Sequence, residues 1–497
     1  MSKYTNPIIL CDYSDPDVIR VGDTFFLVAS SFNFVPGLPV LASKNLVDWQ
    51  LISYGARKIP LPGFEGVQNA HGIWAPSIRV HNDTFYIFFG TPDEGLFEVH
   101  TKNPYGEWSD WNCIWSGKGF EDPCPLWDDD GKVYLVHGYV KSRIGFNSKL
   151  GLLELDPVSL KAISEDKIIF DGTKTQPTIE GPKFYKRNGY YYIFAPAGGV
   201  TKGWQTVLRS KRIDGDYEEK IVLAQGKTKI NGPHQGGWVQ TQTGEDWFIH
   251  FQDRGIFGRI CHLQPMKWEN DWPVMGKNGE PVTKWKMPDC GNGVVSTGST
   301  TAVKNSTTVF ASATPSAGDT PATTPTEPSE FQFSGNAGVD VSNGVAVEKN
   351  AFGDGTLWMN PCVCTKKLDS KKAEYEREVK LTDSFKNSGI IFLGNEYCAL
   401  KIQKKSDGNY LVYLESEGSE NGDAVRTEKI LFEEKIEKDV EAVTLKLNFK
   451  ADSDFSGTIK CSAYFKIGGK CKKAFASKKF KTTNAHWVGG RYGFFEV

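Results

Sequence analysis

The chain has 497 residues, with 58 Lys and Arg against 60 Asp and Glu, a formal charge of −2, and a hydrophobic share of 39%. No basic surplus exists to neutralise a phosphate backbone, which excludes a nucleic-acid binder, and no run of about eighteen apolar residues occurs, which excludes a membrane-spanning helix. The opening Met1-Ser2-Lys3-Tyr4, followed only by Ile8-Ile9-Leu10, predicts no secretory leader. Ten cysteines without a Cys-x-x-Cys pair predict free thiols in a cytoplasmic protein.

Along the first 290 residues one pattern recurs: a short strand, a polar turn, then an aromatic-rich strand. The copies begin at Pro16, Pro76, Pro123, Pro182 and Gly236. Their turns, Gly22-Asp23, Asn82-Asp83, Asp130-Gly131, Asn188-Gly189 and Gly244-Glu245, are of the kind that joins antiparallel strands. Successive turns lie 60, 48, 58 and 56 residues apart, a length that fits one four-stranded propeller blade. Helical periodicity is missing, which argues against a βα barrel. The expected fold is all-β, with a five-bladed β-propeller over residues 1–292.

Composition then changes. Ser296 to Pro328 holds ten Thr, four Pro and one aromatic residue, too little apolar material to order a core, so residues 293–330 read as a linker. Alternating runs such as AEYEREVKLT, GNYLVYLES and GTIKCSAYFKI follow, and they predict a concanavalin-like β-sandwich over residues 331–497.

In a propeller the first strand of each blade lines the central channel, so the residues just before those strands converge. Here they read Ser14-Asp15-Pro16, Trp74-Ala75-Pro76, Glu121-Asp122-Pro123, Glu180-Gly181-Pro182 and Pro233-His234-Gln235-Gly236. Asp15, Asp122 and Glu180 would share one cavity, at a cost in mutual repulsion that stability alone does not explain. Taken singly, each segment also reads as an ordinary tight-turn start. Paired carboxyls in an aromatic-rich cavity are what glycoside hydrolysis needs, one ionised and one protonated. A third carboxylate close by would keep the acid protonated. Twelve of the fourteen Trp precede residue 293, and indoles offer stacking faces for sugar rings.

The segments from Asn6 to Val40, His71-GIWAPSI, Glu121-DPCPLWDDDGKVYLVHG, Ile179-EGPKFYKRNGYYYIF, Asn231-GPHQGGWVQT and Gly258-RICHLQPMKWENDWPVMG resemble glycoside hydrolase family 43. The likeness is to its β-xylosidase and α-L-arabinofuranosidase members that carry a C-terminal β-sandwich. Trp487-Val488-Gly489-Gly490-Arg491-Tyr492-Gly493 is similar to part of that second domain.

The resemblance implies an exo-acting, inverting hydrolase that releases xylose or arabinose from small plant-derived oligosaccharides. It implies Asp15 as general base, Glu180 as general acid, and Asp122 as the group that tunes and orients Glu180. Phe32 and Trp74 would wall the sugar subsite, and Arg259 would contact sugar hydroxyls. The reaction itself would need no cofactor. His234 reads three ways: beneath the sugar, beside a water-held structural cation such as calcium, or as a hydrogen-bonded core histidine. A second reading of the whole chain is a non-catalytic sugar-binding or sensing propeller.

Overall fold

Turn chemistry sets the hairpins. Val21 pairs with Thr24, His81 with Thr84 and Arg187 with Tyr190, so Gly22-Asp23, Asn82-Asp83 and Asn188-Gly189 are two-residue turns. Asn82 and Asp83 (φ 48° and 58°) and Asn188 and Gly189 (50° and 74°) adopt the left-handed angles that match strand twist. The other two hairpins use longer loops, from Trp127 to Val133 and from Gln240 to Asp246.

This computed structural model describes residues 2–291, 328–343, 356–383, 387–417, 427–452, 458–482 and 487–496. Each hairpin grows into a four-stranded antiparallel sheet, and there are five such sheets in order. Blade one runs from Asp17–Val21 to Gln50–Ala56 and blade two from Ser77–His81 to Asn112–Ser116. Blade three runs from Phe120–Trp127 to Lys167–Asp171 and blade four from Lys183–Arg187 to Glu218–Ala224. Blade five runs from His234–Gln240 to Trp272–Met275. Successive blades touch, and blade five meets blade one, so the ring closes as a five-bladed propeller.

Closure is fastened by the amino-terminal segment. Lys3–Thr5 pairs with Lys284–Lys286, and the Ile8 N–H donates to the Cys261 carbonyl at 2.9 Å. The inner strands are tied to one another just inside the channel. Buried Asp17 accepts the Ile78 N–H at 2.9 Å and the Arg79 guanidinium at 2.6 Å. Cys124 Sγ accepts the Phe184 N–H at 3.2 Å and Arg79 at 2.8 Å, and buried Lys183 donates to the Pro76 carbonyl at 3.0 Å. Each of these bonds crosses from one blade to another and ties the ring together.

The C-terminal part is a β-sandwich. One sheet has seven strands and contains Cys364–Lys367, Ser388–Leu393 and Arg491–Glu496; the other has four and contains Lys372–Lys380 and Ala442–Ala451. Alternation is plain in Ala442–Ala451, where Val443, Leu445, Leu447 and Phe449 face inward against Ile390, Phe392, Leu400 and Ile402. Ile256, Phe257 and Ile260 of blade five join that core, and Phe32 and Phe34 of blade one pack with Trp358, Ile391 and Val488. The two parts therefore share buried apolar surface. The expected linker, residues 293–330, falls almost wholly outside the described residues. No disulfide joins the cysteines of the described residues.

Candidate active site

The segments leading into the inner strands have a conformation that the repeat imposes. Asp15, Asp122, Gly181 and Gln235, each followed by Pro or Gly, have φ of 56°, 56°, 55° and 31°. A left-handed residue there turns the chain sharply before the strand, so that two adjacent side chains reach the channel mouth. Aspartate tolerates this region better than most residues.

Superposing the blades on that residue corrects the expected equivalence of the three acids. Asp15 and Asp122 share the left-handed position, whereas Glu180 stands one residue earlier, alongside Ser14, Trp74, Glu121 and His234. The mouth thus holds two kinds of acid, one on the turn and one before it.

Asp15 is buried and saturated with donors. Its Oδ2 accepts from Ser14 Oγ at 2.7 Å and from Ser30 Oγ, and its Oδ1 accepts from Arg259 Nη1 at 3.0 Å. Arg259 Nη1 also donates to Ser14 Oγ at 2.8 Å, and its guanidinium lies 4.7 Å from the Phe251 ring centre. The arginine expected to meet sugar hydroxyls is thus also the counter-ion of Asp15. Its Nε is buried without a hydrogen-bond partner among the described residues.

Glu180 is more open, with 31% of its side chain exposed, and its Oε1 lies 2.6 Å from His234 Nε2. His234 is fully buried and its Nδ1 has no hydrogen-bond partner among the described residues. The side-chain partner of His234 is the expected acid, a contact compatible with each of the three readings. No group of three or more His, Cys, Asp or Glu suited to a metal occurs among the described residues.

Asp122 sits between the others. Its Oδ2 accepts the Gly181 N–H at 2.8 Å and Gln235 Nε2 at 3.1 Å. Burial, then the charges of Glu180 and Asp15, push its carboxyl up to about 8. That both acids act on Asp122 puts all three in one electrostatic site. Glu121, its chain neighbour, is raised well above the usual carboxylate range by lost solvation and then by Asp122, Glu180 and Asp15.

Phe32 and Trp74, the two rings expected at the site, lie together with a third. Phe32 (φ 50°) exchanges backbone hydrogen bonds with Ile73, at 2.9 and 3.0 Å, and Gly72 is required there because a Cβ would meet the Phe32 carbonyl oxygen at 2.4 Å. Trp74 donates from Nε1 to the Ala70 carbonyl at 3.1 Å. Trp487, from the sandwich, stands edge-on to Trp74 at 5.3 Å and 5.9 Å from Phe32, with 40% of its surface exposed.

The loop bearing Trp487 is held by the propeller. Asp12 Oδ1 accepts the Arg259 N–H at 2.8 Å while its Oδ2 accepts the Gly489 N–H at 3.1 Å. Gly489 touches Gly258 so closely that a Cβ would lie 2.7 Å from the Gly258 nitrogen. Sequence reasoning did not find Asp12 or Trp487, which carry no repeat signal. Glu121 did carry one: Glu121-Asp122-Pro123 and Glu180-Gly181-Pro182 share Glu-x-Pro.

The sequence profile of Glycosyl hydrolases family 43 matches residues 4–273. A Xylanibacter ruminicola protein named "Putative beta-xylosidase" is 46% identical over 295 residues, covering 57% of this chain and 54% of that one. A non-reducing end alpha-L-arabinofuranosidase of Bacteroides ovatus is 34% identical over 307 residues, covering 58% of this chain and 56% of that one. The chain thus spans little more than half the length of these curated relatives. The crystal structure of xylan beta-1,4-xylosidase from Bacillus halodurans C-125 superposes with a TM-score of 0.77 at 22% identity, covering 99% of this chain and 96% of that one, a likeness of fold. With its propeller matched over more than half of its length, this chain belongs to glycosyl hydrolases family 43.

Proposed function

We propose that the chain is an exo-acting, inverting glycoside hydrolase that frees xylose or arabinose from the non-reducing end of short oligosaccharides. The observation that carries this reading is the unequal treatment of two acids in one site: Asp15 is buried against Arg259, whereas Glu180 is open and rests on His234. Family membership and the names of the relatives, β-xylosidase and α-L-arabinofuranosidase, support the choice of pentoses.

In this reading Asp15, fixed by Ser14, Ser30 and Arg259, takes the proton of the attacking water as general base. His234 donates from Nε2 to Glu180 Oε1, which leaves Oε2 to carry the proton for the departing oxygen. Asp122 braces the acid through the Gly181 N–H next to it. Phe32, Trp74 and Trp487 cover the apolar face of the sugar and exclude water from the leaving side. No step passes through a metal.

The test is Glu180→Ala. Turnover of a natural xylo- or arabino-oligosaccharide should fall about 10²–10⁴-fold, with far less loss on a nitrophenyl glycoside, whose leaving group hardly needs a proton. Equal losses on both would remove Glu180 as the acid. Binding of pentosides without hydrolysis by the parent would favour a sensor instead.

A further inference from the structure

One acid in the pocket is left without a partner. Asp15 has Ser14, Ser30 and Arg259, Asp122 has Gly181 and Gln235, and Glu180 has His234. Glu121 is half-buried in the same site, acted on by Asp122, Glu180 and Asp15, yet its carboxyl makes no hydrogen bond among the described residues.

The nearby cation Arg143 acts on Glu121 through its charge but gives it no hydrogen bond. Arg143 is clasped by Asp93 through Nε at 3.1 Å and Nη2 at 2.9 Å, and its Nη1 goes to Ser142. Room for the glutamate is nonetheless provided. Its ladder partner is Gly138, where a Cβ would stand 3.1 Å from Glu121 Cγ. A buried or half-buried carboxyl with neither full hydration nor a protein partner is costly to keep, and a ligand hydroxyl removes that cost.

We propose that Glu121 hydrogen-bonds a hydroxyl of the pentose lying between Asp15 and Glu180, and so acts as a specificity-determining residue. The proposal rests on the reading of this site as a sugar pocket. Glu121 occupies in blade three the position that Glu180 occupies in blade four, so both reach the same mouth from adjacent blades. Lost solvation and the charges of Asp122, Glu180 and Asp15 favour the neutral carboxyl of Glu121, a form that can both donate to and accept from a hydroxyl. Glutamine has the same double capacity, which makes it the conservative replacement.

The experiment is calorimetric titration of D-xylose and L-arabinose into the parent, Glu121→Gln and Glu121→Ala, which reads binding whether or not turnover occurs. Glu121→Ala should weaken the preferred pentose ten- to hundredfold. Glu121→Gln should stay within about threefold of the parent, and unchanged thermal unfolding of both variants excludes misfolding as the cause. For a pentose deoxygenated at the contacted hydroxyl, parent and Glu121→Ala should bind alike. Affinity of Glu121→Ala within twofold of the parent overturns the proposal, as does a parent that binds neither pentose. A parent that binds a pentose through Glu121 but hydrolyses no pentoside overturns the hydrolase reading alone.

Discussion

The segments that lead into blades three and four have one backbone and two chemistries. Both read Glu-x-Pro, and the middle residue has φ of 56° in Asp122 and 55° in Gly181. Glycine adopts that angle without strain. Aspartate bears some strain there, and its side chain reaches the amide of Gly181 in the next blade. From the next blade His234 meets Glu180, whereas the Glu121 carboxyl has no hydrogen-bond partner among the described residues. The repeat therefore supplies position, while the neighbours opposite decide what each acid does. Role cannot be read from repeat register alone.

Blade one gives the widest break in this pattern, because Asp15 shares the turn position of Asp122 but has an arginine opposite. Asp15→Asn should lower kcat about 10⁴-fold on oligosaccharide and nitrophenyl substrates alike, since water activation is common to both. Steady-state turnover measures it, and retained activity would remove Asp15 as the base.

Asp122→Asn tests the other aspartate and should cost about 10²-fold in kcat. It also has a stability signature. With a carboxyl raised from 3.8 to about 8, the folded chain holds a proton that the unfolded chain has lost, so Asp122 lowers stability as pH rises between those values. Melting scans across pH 4 to 8 should be flatter for Asp122→Asn, which should melt several degrees higher than the parent at pH 8. Parallel profiles would show that Asp122 is not held protonated.

The smallest effects concern the contact between the two parts of the chain. Trp487→Ala should reduce kcat/KM about tenfold, mostly through KM. Asp12→Asn should cost less and should add little in the double variant, because both changes release the same loop. Full additivity would separate Asp12 from Trp487.

Much of the fold was legible because turn residues recur at nearly equal intervals and each recurrence is a hairpin. The acids were legible as residues, but their equivalence was not. Counting carboxylates before each strand grouped Glu180 with Asp122, whereas the shared Glu-x-Pro and the left-handed turn place it one position earlier, with Glu121. The wall was legible as far as Phe32 and Trp74, which the family resemblance implied. Trp487 and Asp12 meet the site across a domain contact, with Asp12 and Gly489 separated by 477 positions, and no periodicity reports a pairing of that span.

Asp12 also bears on how such a chain could be cut or recombined. Its two oxygens serve the arginine amide of the last blade and a glycine amide of the sandwich at once. A propeller isolated by trimming would keep one of those bonds and strand the other oxygen beside the Asp15 counter-ion. The sandwich is thus part of the frame around this site, not a detachable attachment, and a graft from another relative would have to bring its own paired glycines and its own ring to the rim.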